Sequence, residues 1–224
     1  MKGTLYIVAT PIGNLEDITL RAIRVLREVG VIFAEDTRHT RKLLSHYDIH
    51  TSLKRLDAHT EAENASGVID ALSEGKSAAY VTDAGTPAVS DPGSLLASRV
   101  RGAGFEVLAV PGPSALTASL SVAGVSANEF LFLGFLPHKK GRQKKFAEIA
   151  ASERTVVFYE SPHRILKTLQ SLADHASERV VTLVKELTKI HEEVLSGTAV
   201  ELLDELQQHT EKQRGEFVVI VSVK

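Results

Sequence analysis

The sequence predicts an α/β protein built from two domains. Short apolar runs alternate with stretches of helical spacing along all 224 residues. Most of these runs are followed by loops rich in glycine, proline and small polar residues, and the pattern changes character near Pro113. Strand–helix alternation without a break favours a mostly parallel sheet covered on both faces. The expected division is residues 1–113, carrying that sheet, and residues 114–224, an α/β domain with a mixed sheet.

In the first domain TLYIVA is an apolar run suited to a buried strand, and TPIGN breaks it. Asn14 is expected to cap a helix whose apolar positions are Ile18, Ala22, Val25, Leu26 and Val29, with Gly30 as its stop. VIFA is a second buried strand ending at EDTRHT, followed by a short helix from about Arg41 to His46. LKRL reads as a third strand. Thr60 and Glu63 form a capping-box pattern before Val68, Ile69 and Leu72, and Gly75 ends that helix. AAYV is the fourth strand. Ser94 to Ala103 reads as a helix capped by Asp91 or Ser94, and FEVLAV is a fifth strand closed by PGPSA.

The second domain opens with a small-residue helix from Ser114 to Ala123. FLFLGFLP is a strand, HKKGRQKK a basic loop, and a helix runs on through Ile149. TVVFYE is a strand ended by SPHR, followed by a helix from about Arg164 to His175. RVVTLVKEL is a strand ended by TKIHEE; a helix from Val200 to His209 and the strand EFVVIVSV complete the chain.

Composition narrows the function. Lys and Arg number 26 against 28 Asp and Glu, so the whole molecule carries no polyanion signal and any nucleic-acid contact must come from a local patch. The absence of cysteine excludes disulfides, thiolate catalysis and thiolate metal sites, and fits a cytoplasmic protein. No apolar run reaches 18 residues, so no membrane span is expected, and MKGTLYIVATPIGN lacks a secretory cleavage signature. ATPIGN is neither a dinucleotide fingerprint nor a phosphate-binding loop. His46 and His50 fall where a helix should end and lack the Glu of the zinc-protease motif, so no metal site is expected.

In open parallel sheets, ligands bind outside the carboxyl ends of the strands. Here those ends are residues 10–14, 35–40, 82–93 and 111–115, where glycine lets a ligand approach the backbone closely. In EDTRHTRK, Arg38, Arg41 and Lys42 can hold phosphates while Glu35 or Asp36 orients a hydroxyl; the competing reading makes Asp36 a helix cap and the cations a solvated face. Five Lys or Arg lie in residues 139–145, among them Lys139, Lys140 and Arg142. They suit sequence-independent contact with an RNA backbone, or simply a solvated turn.

The segments LYIVATPIGNLEDIT, AEDTRHTRKLL, YVTDAGTPAVSDPG, VPGPSAL, GFLP, FYESPHR, KELTKIHEE and RGEFVVIV together resemble the ribosomal RNA small-subunit methyltransferase I family. That family lies within the tetrapyrrole-methylase-like superfamily of class III methyltransferases. The resemblance implies two α/β domains with S-adenosylmethionine in a cleft between them, and a homodimer. It implies 2′-O-methylation of a cytidine ribose in 16S ribosomal RNA of the small subunit. Methylation of a small molecule such as a tetrapyrrole is the alternative, and a non-catalytic RNA-binding protein a third. Family members usually carry a further C-terminal segment after the final strand, whereas this chain ends at Lys224; the methyl-transfer core is expected to be whole.

The same resemblance carries roles to individual positions. Asp83, Gly85 and Thr86 correspond to the cofactor loop, against the alternative of an ordinary strand-to-helix turn. Ser114 and Ala115 open a helix whose free N–H groups can meet a polar cofactor group. Pro11 and Gly13 look like an altered first glycine-rich loop, and Glu160, Leu187 and Gly215 like further cofactor contacts. Phe135 and Leu136 are either an adenine wall or core. Glu35, Asp36, Lys185 and Glu186 are the candidates for the base that a ribose hydroxyl, a weak nucleophile, calls for. His163, Arg164, Lys189 and Glu192 add mixed charge at strand ends.

Overall fold

The computed structural model describes residues 2–57 and 61–223, with the side chains of all but residues 61–64. The expected capping pair, Thr60 and the Glu63 side chain, lies outside these. The chain divides into two compact units, Met1–Ser114 and Ala115–Lys224.

The first unit is a five-stranded, wholly parallel sheet in the order β3-β2-β4-β1-β5. Its strands are β1 (Thr4–Val8), β2 (Val31–Ala34), β3 (Leu53–Arg55), β4 (Ala78–Val81) and β5 (Glu106–Val110). Two of them, VIFA and AAYV, are buried at every residue, as a strand covered on both faces must be. One face is covered by α1 (Leu20–Glu28) and α2 (Thr37–His46), through Ala22, Val25, Leu26, Leu43 and Leu44. The other is covered by α3 (Glu61–Ser73) and α4 (Ser94–Gly102), through Val68, Leu72, Leu96 and Val100.

Four local expectations need correction. Asn14 caps only a 3-10 turn, Leu15–Asp17; the helix proper starts five residues later, where the Thr19 side chain accepts from the Ala22 N–H. Both residues are good caps, and only Thr19 leads directly into the apolar face. Gly30 does not end α1 in a left-handed turn, because Val29 is already extended; Gly30 is instead where the chain passes close to Lys76, and its N–H donates to Ser77 O. The cap of α4 is Gly93, with no side-chain bond, rather than Asp91 or Ser94. Helix α2 also starts earlier than expected, with Asp36 as its cap accepting from the Arg38 N–H.

The second unit contains α5 (Ala115–Val122), β6 (Phe130–Phe135), α6 (Arg142–Ala151), β7 (Thr155–Glu160), α7 (Ile165–Ala176), β8 (Val180–Lys185), β9 (Glu193–Thr198), α8 (Ala199–Gln208) and β10 (Phe217–Val221). The sheet order is β6-β7-β10-β8-β9, with β6 parallel to β7 and the other pairings antiparallel. Strand β9 is absent from the sequence expectation. EVLSGT is an edge strand whose residues are alternately exposed and half-buried, with Ser and Gly diluting its apolar content. Helices α6, α7 and α8 cover one face through Phe146, Ile149, Leu169, Leu172 and Leu206, and α5 lies on the other through Leu120.

Candidate active site

In the first unit, chain connectivity creates a crevice. β2 and β4 are neighbours, but β2 leads to a helix on one face of the sheet and β4 to a helix on the other. Their loops therefore diverge at the carboxyl ends, the place where open α/β sheets bind ligands. Glu35 and Asp36 leave β2 there, and Thr82 and Asp83 leave β4. A small pocket, partly open to solvent, lies at these ends and is lined by Thr10, Pro11, His39, Thr40, Thr82 and Asp83, among others.

Hydrogen bonds tie the loops together. Asp83 Oδ1 accepts from the Asp36 N–H at 3.2 Å. Thr10 and Gly85 exchange main-chain bonds of 2.9 Å in both directions. The Thr86 hydroxyl donates to Pro113 O at 3.1 Å. Gly85 sits at φ +77°, and an added Cβ would lie 3.4 Å from Ile12 Cγ2 and 4.0 Å from Pro113 O. The loop after β4 is thus joined to the loop after β1 by its main chain, to that after β2 by the Asp83 carboxylate and to that after β5 by the Thr86 hydroxyl.

Backbone strain concentrates at two loops. Of the five non-glycine residues described with positive φ, Ala88 and Ser90 lie in the loop after β4, and Glu186 and Thr188 in the loop after β8. Such conformations cost about 1–3 kcal/mol each and persist where surrounding structure enforces them, often at functional sites.

Electrostatics in the crevice is acidic. Burial pushes the Glu35 carboxyl up, and the charges of Asp83 and Asp91 push it further. Burial likewise raises Asp91. Asp36 behaves oppositely: Arg38 binds it through its main-chain N–H at 2.8 Å and its guanidinium at 2.6 Å, holding it well below the carboxylate range.

In the second unit, residues 186–192 are the hairpin loop between β8 and β9. The Glu186 carboxylate accepts from Lys189 Nζ and from the Glu216 N–H, both at 2.9 Å. Burial opposes ionisation here, yet the bond from Lys189 and that from Glu216 outweigh it and hold the carboxyl low. Gly215, at φ +96°, allows this, since a Cβ there would lie 2.4 Å from Glu186 Cγ. Lys185 is buried at the end of β8, with 6% exposure.

The sequence profile of the tetrapyrrole (corrin/porphyrin) methylases matches residues 4–203. A ribosomal RNA small subunit methyltransferase I of Xylella fastidiosa is 50% identical over 221 residues, covering 98% of this chain and 81% of that protein. The chain belongs to the ribosomal RNA small subunit methyltransferase I family. The family's Pseudomonas aeruginosa member is 45% identical over 222 residues, covering 98% of this chain and 79% of its own. Two solved structures share the fold. A uroporphyrin-III-C-methyltransferase from Thermus thermophilus has a TM-score of 0.69 at 20% identity, covering 99% of this chain and 94% of its own. A cobalt precorrin-4 methyltransferase has a TM-score of 0.71 at 17% identity, covering 98% and 94%.

Against the positions that resemblance to methyltransferase I singled out, the first unit gathers Pro11, Glu35, Asp36, Asp83, Gly85 and Thr86 around linked strand ends. Arg38 and Arg41 are exposed on α2, and Lys139 and Lys140 are exposed after β6. Other positions differ. The Glu160 side chain is fully buried and engaged by Arg142 and Arg164. Arg142 belongs to α6, not to a free loop, and its side chain is only 12% exposed, turned to Glu160 rather than outward. Leu136 is core at 2% exposure, whereas Phe135 is open at 58%. Sequence reasoning passed over Thr10 and His39. Both stand inside quoted motifs, but only the fold brings them to one pocket with Asp83. Among the described residues no cluster of three His, Cys, Asp or Glu is placed to hold a metal ion, and no helix is long and apolar enough to cross a membrane.

Proposed function

We propose that this chain is an S-adenosylmethionine-dependent methyltransferase that modifies the ribose 2′-hydroxyl of a cytidine in 16S ribosomal RNA. The observation that carries the reading is the acidic crevice between β2 and β4, closed by the Asp83–Asp36 bond, in a chain of the methyltransferase I family. A cofactor with an ammonium and a sulfonium is cationic, and carboxylates at a strand end complement it. When bound, it supplies an electrophilic methyl group on a good leaving group. The chain's work is then binding and alignment, which can account for much of the acceleration.

Asp83 is the carboxylate for the cofactor's polar end. Gly85, with Pro11 and Gly13, gives close access to main-chain groups, and Thr86 fixes the loop to Pro113. Ser114, Ala115, Leu187 and Gly215 remain candidates for further cofactor contacts. Of the four candidate bases, Asp36 and Glu186 are held ionised by Arg38 and Lys189. Glu35 is the better acceptor for a ribose proton, because a carboxyl raised toward the working pH takes up protons most usefully. Lys185 is the second unit's candidate. Arg38, Arg41, Lys139 and Lys140 serve RNA phosphates, and a ribosomal substrate implies work in the cytoplasm. The chain acts as a homodimer, which light scattering on the eluted protein checks.

Calorimetric titration with S-adenosylmethionine, followed by methyl-transfer assays on small ribosomal subunits and on a uroporphyrinogen, tests the proposal. Saturable cofactor binding and transfer to the subunit RNA support it. Transfer to the tetrapyrrole alone overturns the substrate, and RNA binding indifferent to cofactor overturns the enzyme.

A further inference from the structure

Glu160 ends β7 with a fully buried carboxylate between two arginines. Its Oε2 accepts from Arg142 at 2.8 Å and from the Thr168 hydroxyl at 2.7 Å. Its Oε1 accepts from the Ser161 N–H at 2.8 Å and lies 2.6 Å from Arg164 Nε. Both guanidiniums have a nitrogen left over, and both point it at the same stretch of main chain. Arg142 donates to Pro137 O at 3.2 Å, and Arg164 to Leu136 O at 3.0 Å. These carbonyls open the turn after β6, which exposes His138, Lys139 and Lys140 before closing through the Arg142 N–H to Lys139 O at 3.2 Å.

We propose that Glu160 is a positioning residue that acts through Arg142 and Arg164 to hold the turn at 136–141, so that Lys139 and Lys140 meet an RNA backbone already ordered. A planar guanidinium can bridge a carboxylate and a carbonyl at once, which a lysine ammonium does poorly. A basic turn docked on such a bridge binds phosphate without first losing its own freedom, and pre-ordering of this kind raises affinity. The carboxylate itself touches no ligand. This inference rests on the RNA-methyltransferase reading above.

The test is a double-mutant cycle read by filter binding to a 16S ribosomal RNA transcript at several salt concentrations, with calorimetric titration of S-adenosylmethionine on the same proteins. Glu160→Gln keeps the side chain's shape and removes the charge that pairs the arginines. Arg164→Lys is the second probe, should the first fold poorly. The expected result is RNA affinity about tenfold weaker and a salt slope smaller by about 1.4, as for two lost single-strand phosphate contacts. Cofactor affinity is unchanged. In the Lys139→Ala, Lys140→Ala background either substitution adds little, because the lysines are what Glu160 positions. An equal loss in that background, or no loss in the native one, overturns this inference alone. Native protein that binds no RNA overturns the function on which it rests as well.

Discussion

The carboxylate of Asp83 accepts a hydrogen bond from the main-chain N–H of Asp36, 47 positions earlier in the chain, at 3.2 Å. The bond spans the two loops that diverge from β2 and β4. Asp83 therefore both shapes the crevice and supplies charge to it, and the two effects are separable. Asp83→Asn keeps an acceptor for Asp36 and loses the charge; Asp83→Ala loses both. Hydrogen bonds to charged groups contribute about 1.5–3 kcal/mol. Cofactor affinity should fall roughly 10- to 100-fold in the Ala variant and by less in the Asn variant. Calorimetry checks this, and equal affinity in all three proteins would remove the loop after β4 from the site.

Glu35 makes stability depend on pH. Its carboxyl is raised in the folded chain by burial, then by Asp83 and Asp91. A raised folded pKa gives a contribution that is complete below the unfolded value, about 4.3, and is lost as pH rises through the folded value. Glu35→Gln should therefore raise Tm at about pH 7.5 and change it little at about pH 4, while slowing methyl transfer. Thermal melts at the two pH values decide: an equal gain at both removes the electrostatic explanation.

The pairing of Gly215 with Glu186 makes a steric prediction. In Gly215→Ala the new Cβ meets Glu186 Cγ at 2.4 Å, and φ +96° is strained for any residue with a Cβ. Glu186 must swing away, releasing Lys189 and the Glu216 N–H. The expected cost is about 1–3 kcal/mol, or several degrees of Tm. Glu186→Ala in the same background should recover part of the loss, since it deletes the clashing atoms.

Helix α8 offers a change remote from the crevice. Thr198 and Glu201 form a reciprocal capping box, with the Thr198 N–H donating to Glu201 Oε2 at 2.7 Å. Thr198→Ala should lower stability by about 1 kcal/mol and Tm by about 2–4 °C. Cofactor affinity should stay the same. A change in affinity would show that this end of the second sheet is coupled to the site.

What the sequence determined by itself was whatever short-range pattern encodes. The apolar runs VIFA and AAYV read as buried strands and are, and Gly75, at φ +80°, does end its helix as its position implied. The strand-end loops carrying Asp83 and Glu35 were legible because Gly, Pro and Asp after a buried run are local signals, and because long matching motifs named the family. Tertiary structure decided the rest. Asn14 and Thr19 are both competent caps, and packing of Ala22 and Leu26 on the sheet chose between them. Arg142 reads as one basic residue among five until β7 and α7 bring Glu160 and Thr168 to it, 18 and 26 residues away. Phe135 and Leu136 are equally apolar, yet Phe135, the last residue of β6, is exposed, while Leu136, just past the strand end, packs into the core with Phe146 and Ile165. The physical reason is common to all three. Backbone preference and hydrophobic period are properties of a few adjacent residues, whereas a side chain acquires its role only from the partners that the fold brings to it.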